Sequence, residues 1–255
     1  MSFRSAAVAL CLYCLLGGCS TAWGGQSVTL KLATTQREFL VTGFQNSGTA
    51  SRPAVLVLSG AKGYGAAAYS LLATDLNASG IDVFLIHYIS DADALTIESA
   101  GSARARIAYY AKRMPDWIET IRVTMGAIRR LPMYQSRIGV LGVSLGAMPV
   151  TVVSANSAEI DASIIVDGSF PANFQPRVRS LPPLLVIWGS DDRVFPLSAG
   201  TKLRDLARSL GGPAELRAYG GEGHAFFLEP NNANAADARQ RIVSFFSSKL
   251  NAKTH

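Results

Sequence analysis

An α/β fold, with a mostly parallel sheet covered on both faces by helices, is what the sequence predicts, on three observations. From residue 28 onward, short apolar runs of strand length alternate with segments of helical pattern. The length of 255 residues suits one large domain, and no internal repeat or interdomain linker interrupts it. Hydrophobic residues make up 49% and charged residues 16%, enough apolar material for a core and too little charge for a disordered chain.

Residues 1–22 read as an export leader. Arg4 supplies a short positive region, and residues 6–16 form an apolar run too short to span a bilayer. Two processing sites compete. Leu16-Gly17-Gly18-Cys19 resembles the lipobox of bacterial lipoproteins, in which Cys19 would be lipidated and anchor the chain to a membrane. Ser20-Thr21-Ala22 instead offers small residues at −3 and −1 for ordinary signal cleavage. The lipobox is preferred, because Cys19 has no other evident purpose. The expected location is therefore outside the cytoplasm: periplasmic, secreted, or held at the outer membrane. All three cysteines (Cys11, Cys14 and Cys19) lie in this leader, so the body at 27–250 has no disulfide, thiol nucleophile or cysteine metal site.

Within the body, residues 27–33 and 37–43 read as two leading strands, followed by a polar turn at 46–52. Residues 53–58 (PAVLVL) form a fully apolar strand, then the turn Ser59-Gly60-Ala61-Lys62-Gly63 and a helix ending near Ala78. Residues 81–87 are the next strand. A polar loop is expected at 90–101, before a long helical region that ends near Leu131 and that Pro115 breaks in two. The strand at 137–143 leads into a helix at 145–155, and 160–166 is a further strand. A proline-bearing connection at 170–182 precedes the strand 184–188, the helix 197–210, the last strand 214–219 and the closing helix 233–250.

The chain carries 24 Lys+Arg against 18 Asp+Glu, a net +6. Eight basic and two acidic residues between Arg104 and Arg137 account for that whole excess. Trp117, Ile121, Met125 and Ile128 recur there at helical spacing, which leaves Arg122, Arg129 and Arg130 on other faces. This is a solvated helix face. A nucleic-acid surface would need interleaved stacking aromatics or a known motif, and neither is present.

Gly142-Val143-Ser144-Leu145-Gly146 is a G-x-S-x-G element with an apolar strand directly before it and a helix directly after it. A sharp strand-to-helix turn of this kind lifts a serine hydroxyl above the sheet edge, and the flanking glycines allow the close backbone approach it needs. The serine needs a base. In enzymes built on this turn the chain order is serine, acid, histidine. Of the three histidines, His87 precedes the serine and His255 ends the chain, so His224, in Gly220-Gly221-Glu222-Gly223-His224, is the one that qualifies. For the acid, Asp192 in Trp188-Gly189-Ser190-Asp191-Asp192-Arg193-Val194-Phe195-Pro196 is preferred over Asp191. Asp167, one strand earlier, is the alternative. The aspartate left over beside the acid would cap the turn or the following helix.

These motifs, G-V-S-L-G, W-G-S-D-D-R-V-F-P and E-G-H-A-F, resemble those of the α/β-hydrolase superfamily, and within it the dienelactone hydrolase group, over residues 28–250. The resemblance implies an α/β-hydrolase fold and a Ser144, Asp192, His224 triad for acyl-transfer chemistry. It places the acid three residues after Gly189 and four before Pro196, which is Asp192. It also implies an oxyanion hole from the backbone N–H groups of Ala61 and Leu145. The chain departs from the group twice. Ser144 stands where dienelactone hydrolases carry cysteine, and Gly60 stands where they carry a glutamate that helps activate the thiol.

The expected function is therefore cleavage of a small carboxylic ester or thioester through an acyl-enzyme. The alternatives are an acyltransferase or peptidase on the same triad, or a non-catalytic binding protein on the same scaffold. No cofactor or metal is expected. Pocket residues are sought where loops leave the carboxyl ends of strands: Lys62, Tyr64, His87, Tyr88, Phe170, Phe195 and Phe226.

Overall fold

Eight strands pair into one sheet in the order β1-β2-β4-β3-β5-β6-β7-β8 in the computed structural model, which describes residues 25–47, 50–134 and 137–251. The strands are β1 (Gly25–Ala33), β2 (Glu38–Asn46), β3 (Ala54–Leu58), β4 (Asp82–Ile86), β5 (Ile138–Val143), β6 (Ala162–Val166), β7 (Leu184–Gly189) and β8 (Ala214–Tyr219). The leader expected at 1–22, with Cys19, and the terminal His255 lie outside the described residues.

β1 and β2 form an antiparallel hairpin that joins β4 antiparallel, and β4, β3, β5, β6, β7 and β8 run parallel. The sheet is thus mostly parallel, as predicted. The helices are α1 (Ala67–Ala78), α2 (Asp91–Ser99), α3 (Ala103–Arg129), α4 (Ala147–Ser154), α5 (Leu197–Ser209) and α6 (Ala233–Leu250). None of them is long and apolar enough to cross a membrane.

Every residue of β3, β4, β5, β6 and β7 is buried, the expected pattern for strands covered on both faces. Alternation along each strand divides the side chains between two cores. Leu56 and Leu58 pack on the side of Trp117, Ile121 and Ile128 from α3. Val55 and Val57 pack with Tyr69, Leu72 and Leu76 from α1 and Ile242 and Phe246 from α6.

From β3 the chain moves to β4 on one side, and later to β5 on the other. The crevice at the carboxyl ends of β3 and β5 is therefore the topological switch point, where α/β sheets accept ligands. Register places the ends side by side: Leu58 pairs with Gly142, Val143 with Val166, Val166 with Ile187 and Gly189 with Tyr219.

Two expectations are corrected. Residues 91–99, expected as polar loop, form α2. A capping box creates it, with Ser90 Oγ accepting from the Asp93 amide and the Asp93 carboxylate accepting from the Ser90 amide. Asp93 also accepts from Tyr109 Oη at 2.6 Å and Arg113 Nε at 2.7 Å. Burial pushes its carboxyl up, but the hydrogen bonds from Tyr109, Ser90 and Arg113 outweigh that and hold it down at about 2.

The second correction concerns Pro115, which interrupts no helix: α3 runs unbroken through it. One buried stripe, Met114, Trp117, Ile121, Met125 and Ile128, continues past the proline. Arg113 spans it by donating to Asp116 Oδ2 at 2.6 Å, while Arg37 from the hairpin donates to the same oxygen at 2.9 Å. Tertiary packing overrides the local break. The Arg113 guanidinium belongs to this network, while Arg122 and Arg130 are exposed as expected.

An interior proline costs a helix about 3 kcal/mol, partly offset by about 0.4–1 kcal/mol through a less flexible unfolded chain. Pro115→Ala is therefore expected to stabilise the protein by about 2 kcal/mol in urea unfolding. A destabilised variant would show that α3 depends on the proline.

Candidate active site

β5 ends at Val143, and Ser144 turns the chain into a 3-10 turn (Ser144–Gly146) and α4. Ser144 has φ 51°, a left-handed conformation that an L-residue adopts only under constraint. The constraint is crowding. A Cβ on Gly142 would lie 2.5 Å from the Gly146 oxygen, and one on Gly146 would lie 2.6 Å from the oxygens of Leu58 and Ser59. Backbone cannot retreat as a flexible side chain can, so both positions require glycine.

The loop after β8 brings His224 back to this turn. His224 Nε2 lies 2.9 Å from Ser144 Oγ, and His224 Nδ1 lies 2.8 Å from Asp192 Oδ2. A carboxylate can only accept, so the proton sits on Nδ1 and Nε2 is left to accept the serine hydroxyl. Asp192 is itself fixed, since its Oδ1 accepts from the amides of Val194 at 2.7 Å and Phe195 at 2.9 Å. It is the buried member of its pair. Asp191 is exposed and takes a hydrogen bond from Ser190 Oγ. The turn-capping part expected of the leftover aspartate is thus played by Asp192, and α5 begins after Pro196 with no side-chain cap.

Four residues that sequence reasoning missed hold these loops. Tyr69 Oη accepts from the Gly60 amide at 3.0 Å, inside the turn that carries Ala61. Glu222 accepts from Asn232 Nδ2 at 3.0 Å and Asn234 Nδ2 at 2.7 Å, tying the histidine loop to the start of α6. The Gly-Glu-Gly spacing hinted only at a turn, because the asparagines that anchor it follow eight or more residues later.

The turn Ser59-Gly60-Ala61 lies against the serine, and a Cβ on Gly60 would be 3.6 Å from Ser144 Cβ. This puts the amides of Ala61 and Leu145 on the two elements that meet at Ser144. The pocket expectations fare unevenly. Phe195 lies beside His224, with ring centroids 5.9 Å apart. Phe170 stacks on Phe174 at 4.7 Å.

Tyr88 and Phe226 are corrected to core residues. Tyr88 is fully buried, donates to the Ser59 oxygen at 2.7 Å and packs edge-on against Trp117. Phe226 packs with Tyr219. Tyr64 bonds the carbonyls of Val57 and Ile86 and faces the His87 ring, while His87 Nε2 pairs with Thr42 Oγ1 at 3.0 Å. Burial pulls the His87 imidazole below its usual range. Lys62 is exposed.

Asp167, the alternative acid, ends β6 at φ 47° and is fully buried. Its Oδ1 accepts from the Gly189 amide at 3.0 Å. Its Oδ2 has no hydrogen bond of good geometry, although the Ala225 amide is near enough to favour its charge. Burial pushes the carboxyl up to about 7; the Gly189 amide opposes this, and the Asp192 charge adds to it.

Asp167, Asp192 and His224 each place a donor or acceptor atom within 4.8 Å of the others. These are residue types that bind metals. His224 bonds Asp192, and both aspartates accept from main-chain amides, as in an acid–base array.

The profile of the dienelactone hydrolase family matches residues 41–250. No curated protein sequence matches the chain. A dienelactone hydrolase-like protein from Klebsiella pneumoniae superposes with a TM-score of 0.73 at 15% identity, covering 88% of this chain and 98% of that one. A cold-adapted esterase from an Arctic intertidal metagenomic library gives 0.69 at 16% identity, with coverages of 92% and 98%. Acylaminoacyl peptidase from Pyrococcus horikoshii gives 0.71 at 14% identity over 91% of this chain and 43% of that longer one. The shared architecture is the α/β-hydrolase fold.

The raised Asp167 carboxyl has a consequence for stability. The native state holds this proton from about pH 4 to about pH 7 while the unfolded chain has lost it, so stability falls as pH rises through that window. Asp167→Asn is expected to remove the decline. Urea midpoints at pH 5 and pH 8 measure it; equal pH dependence in both proteins would contradict it.

Proposed function

The chain belongs to the dienelactone hydrolase family, and from that premise we propose that it is a serine hydrolase cleaving small carboxylic esters or thioesters. What supports this reading is the continuous hydrogen-bonded line from Ser144 Oγ through the His224 ring to Asp192.

Ser144 attacks the acyl carbonyl as His224 Nε2 takes its proton. Asp192 holds the tautomer that makes Nε2 a base and stabilises the imidazolium that forms. The oxyanion develops toward the amides of Ala61 and Leu145, donors that are worth a few kcal/mol each in such sites. His224 returns the proton to the leaving alkoxide or thiolate. Water, deprotonated by His224, then attacks the acyl-Ser144 ester, and the serine leaves with its proton restored.

Serine in place of cysteine suits this scheme. An alkoxide is not available near neutral pH without a base, and His224 is within reach to supply one. The glutamate that helps activate a thiol has no counterpart at Gly60, and a serine–histidine pair does not need it. Export is part of the proposal and rests on residues 1–22 alone.

Ser144→Ala is expected to lower turnover of short p-nitrophenyl esters by at least about 10³-fold with an unchanged circular dichroism spectrum; undiminished activity overturns the reading. Adding a small alcohol during turnover separates hydrolysis from acyl transfer: free acid supports hydrolysis, and a dominant new ester favours the acyltransferase alternative. Mass spectrometry of the native N-terminus is expected to find lipidated Cys19 as the first residue. A start at Trp23 would mean ordinary cleavage, and a retained Met1 would refute export.

A further inference from the structure

A buried carboxylate that nothing in the proposed reaction uses stands beside the base. Asp167 and Ser144 both follow strand ends that pair side by side, Val143 with Val166, so Asp167 sits between the nucleophile's strand and the strand that leads to Asp192. Its backbone is held in the left-handed region, and so is that of Ala225, the residue after His224. Gly168 lets the chain pass close by, because a Cβ there would be 2.7 Å from the Ser144 oxygen.

Packing alone would favour an apolar or amide side chain here, since a buried carboxyl oxygen without a partner is costly. One oxygen is tethered by the Gly189 amide; the other makes no hydrogen bond of good geometry, with the Ala225 amide near the carboxyl. The ionisable groups that face the carboxyl are Asp192, from the turn after β7, and His224, from the loop after β8.

We propose that Asp167 is a second positioning carboxylate for His224, whose unpartnered Oδ2 accepts the Nδ1–H when Asp192 is absent. The inference rests on the serine hydrolase reading above. Two acids then serve one imidazole: Asp192, bonded to it at 2.8 Å, and Asp167, in reserve within 4.8 Å. The unused oxygen is kept dry and oriented by a strand end, as a positioning group must be. No covalent step is added. The proton remains on Nδ1 throughout, and only its acceptor changes.

The test compares Asp192→Ala, Asp167→Asn and the double variant by the rate at which a fluorophosphonate labels Ser144, a readout that needs the histidine but no knowledge of the substrate. Asp192→Ala is expected to lose only about 10- to 100-fold. The double variant should lose about 10⁴-fold, the usual effect of depriving a triad histidine of its acid. Asp167→Asn alone should lose only a few-fold, so the two substitutions are strongly non-additive.

Proton NMR gives a second readout that a merely structural role would not move. The low-field resonance of the His224 Nδ1–H should persist in Asp192→Ala and vanish in the double variant. Equal labelling rates for Asp192→Ala and the double variant, or loss of the resonance in Asp192→Ala, overturns the proposal. Asp192→Ser, which keeps an acceptor for the Val194 and Phe195 amides, repeats the comparison if the alanine variant does not fold. Wild-type protein that is never labelled refutes the hydrolase reading and this inference together. Labelled wild type with inert Asp192 variants refutes the inference alone.

Discussion

Backbone crowding where β5 becomes α4 governs the arrangement of everything around it. Three chain segments converge on the turn at Ser144: its own glycines, the end of β3 at Leu58 and Ser59, and the start of the connection after β6 at Gly168. Each approach is closer than a Cβ would tolerate. The turn therefore cannot relax, and Ser144 is kept at φ 51° with its hydroxyl raised toward the loops above the sheet. Because the strain sits at the topological switch point, the hydroxyl stands at the crevice where β3 and β5 end.

The loops above that turn gain precision from buried polar anchors. Tyr69 and Tyr88 grip the Ser59-Gly60 turn from two sides, one by accepting an amide proton and the other by donating to a carbonyl. Burial pushes both phenols above their ordinary range, Tyr69 to about 12, which favours their neutral form. Glu222 and the two asparagines do the same for the histidine loop. None of these side chains touches a reacting atom. Their effect is to fix distances of 2.8 and 2.9 Å between residues 32 and 80 positions apart.

On the edge that carries the hairpin, charge joins the apolar contact of Leu32, Phe39 and Val41 as the adhesive. Arg37, Arg113, Asp93 and Asp116 tie the hairpin, α2 and α3 together, while Asp82 accepts from Arg52 at 2.8 Å and Tyr134 at 2.6 Å. Removing a single partner from such a buried pair costs about 3–5 kcal/mol, far more than a surface ion pair is worth. These groups specify how the first and middle thirds of the chain meet. The apolar strands, being alike, could not.

Much of this was legible in the sequence because the relevant signals are local. An unbroken apolar run such as 53–58 reads as a parallel strand, and the G-x-S-x-G spacing encodes a strand-to-helix turn in five positions. The chain order of serine, acid and histidine left one histidine that qualified, and the structure brings Ser144, Asp192 and His224 together. What the sequence hid depends on partners far along the chain. Pro115 looks like a helix break until Arg113 is seen to reach across it to Asp116, with Met114 and Trp117 buried on either side. Tyr88 and Phe226 follow strand ends like pocket residues, yet are buried against Trp117 and Tyr219. Asp167 was one of three acids by pattern; only the folded chain shows it buried beside the imidazole with an oxygen to spare. Periodicity and spacing determine elements and their order, since they act over a few residues. Burial and electrostatic environment are decided by tertiary structure, since they sum over neighbours that no local window contains.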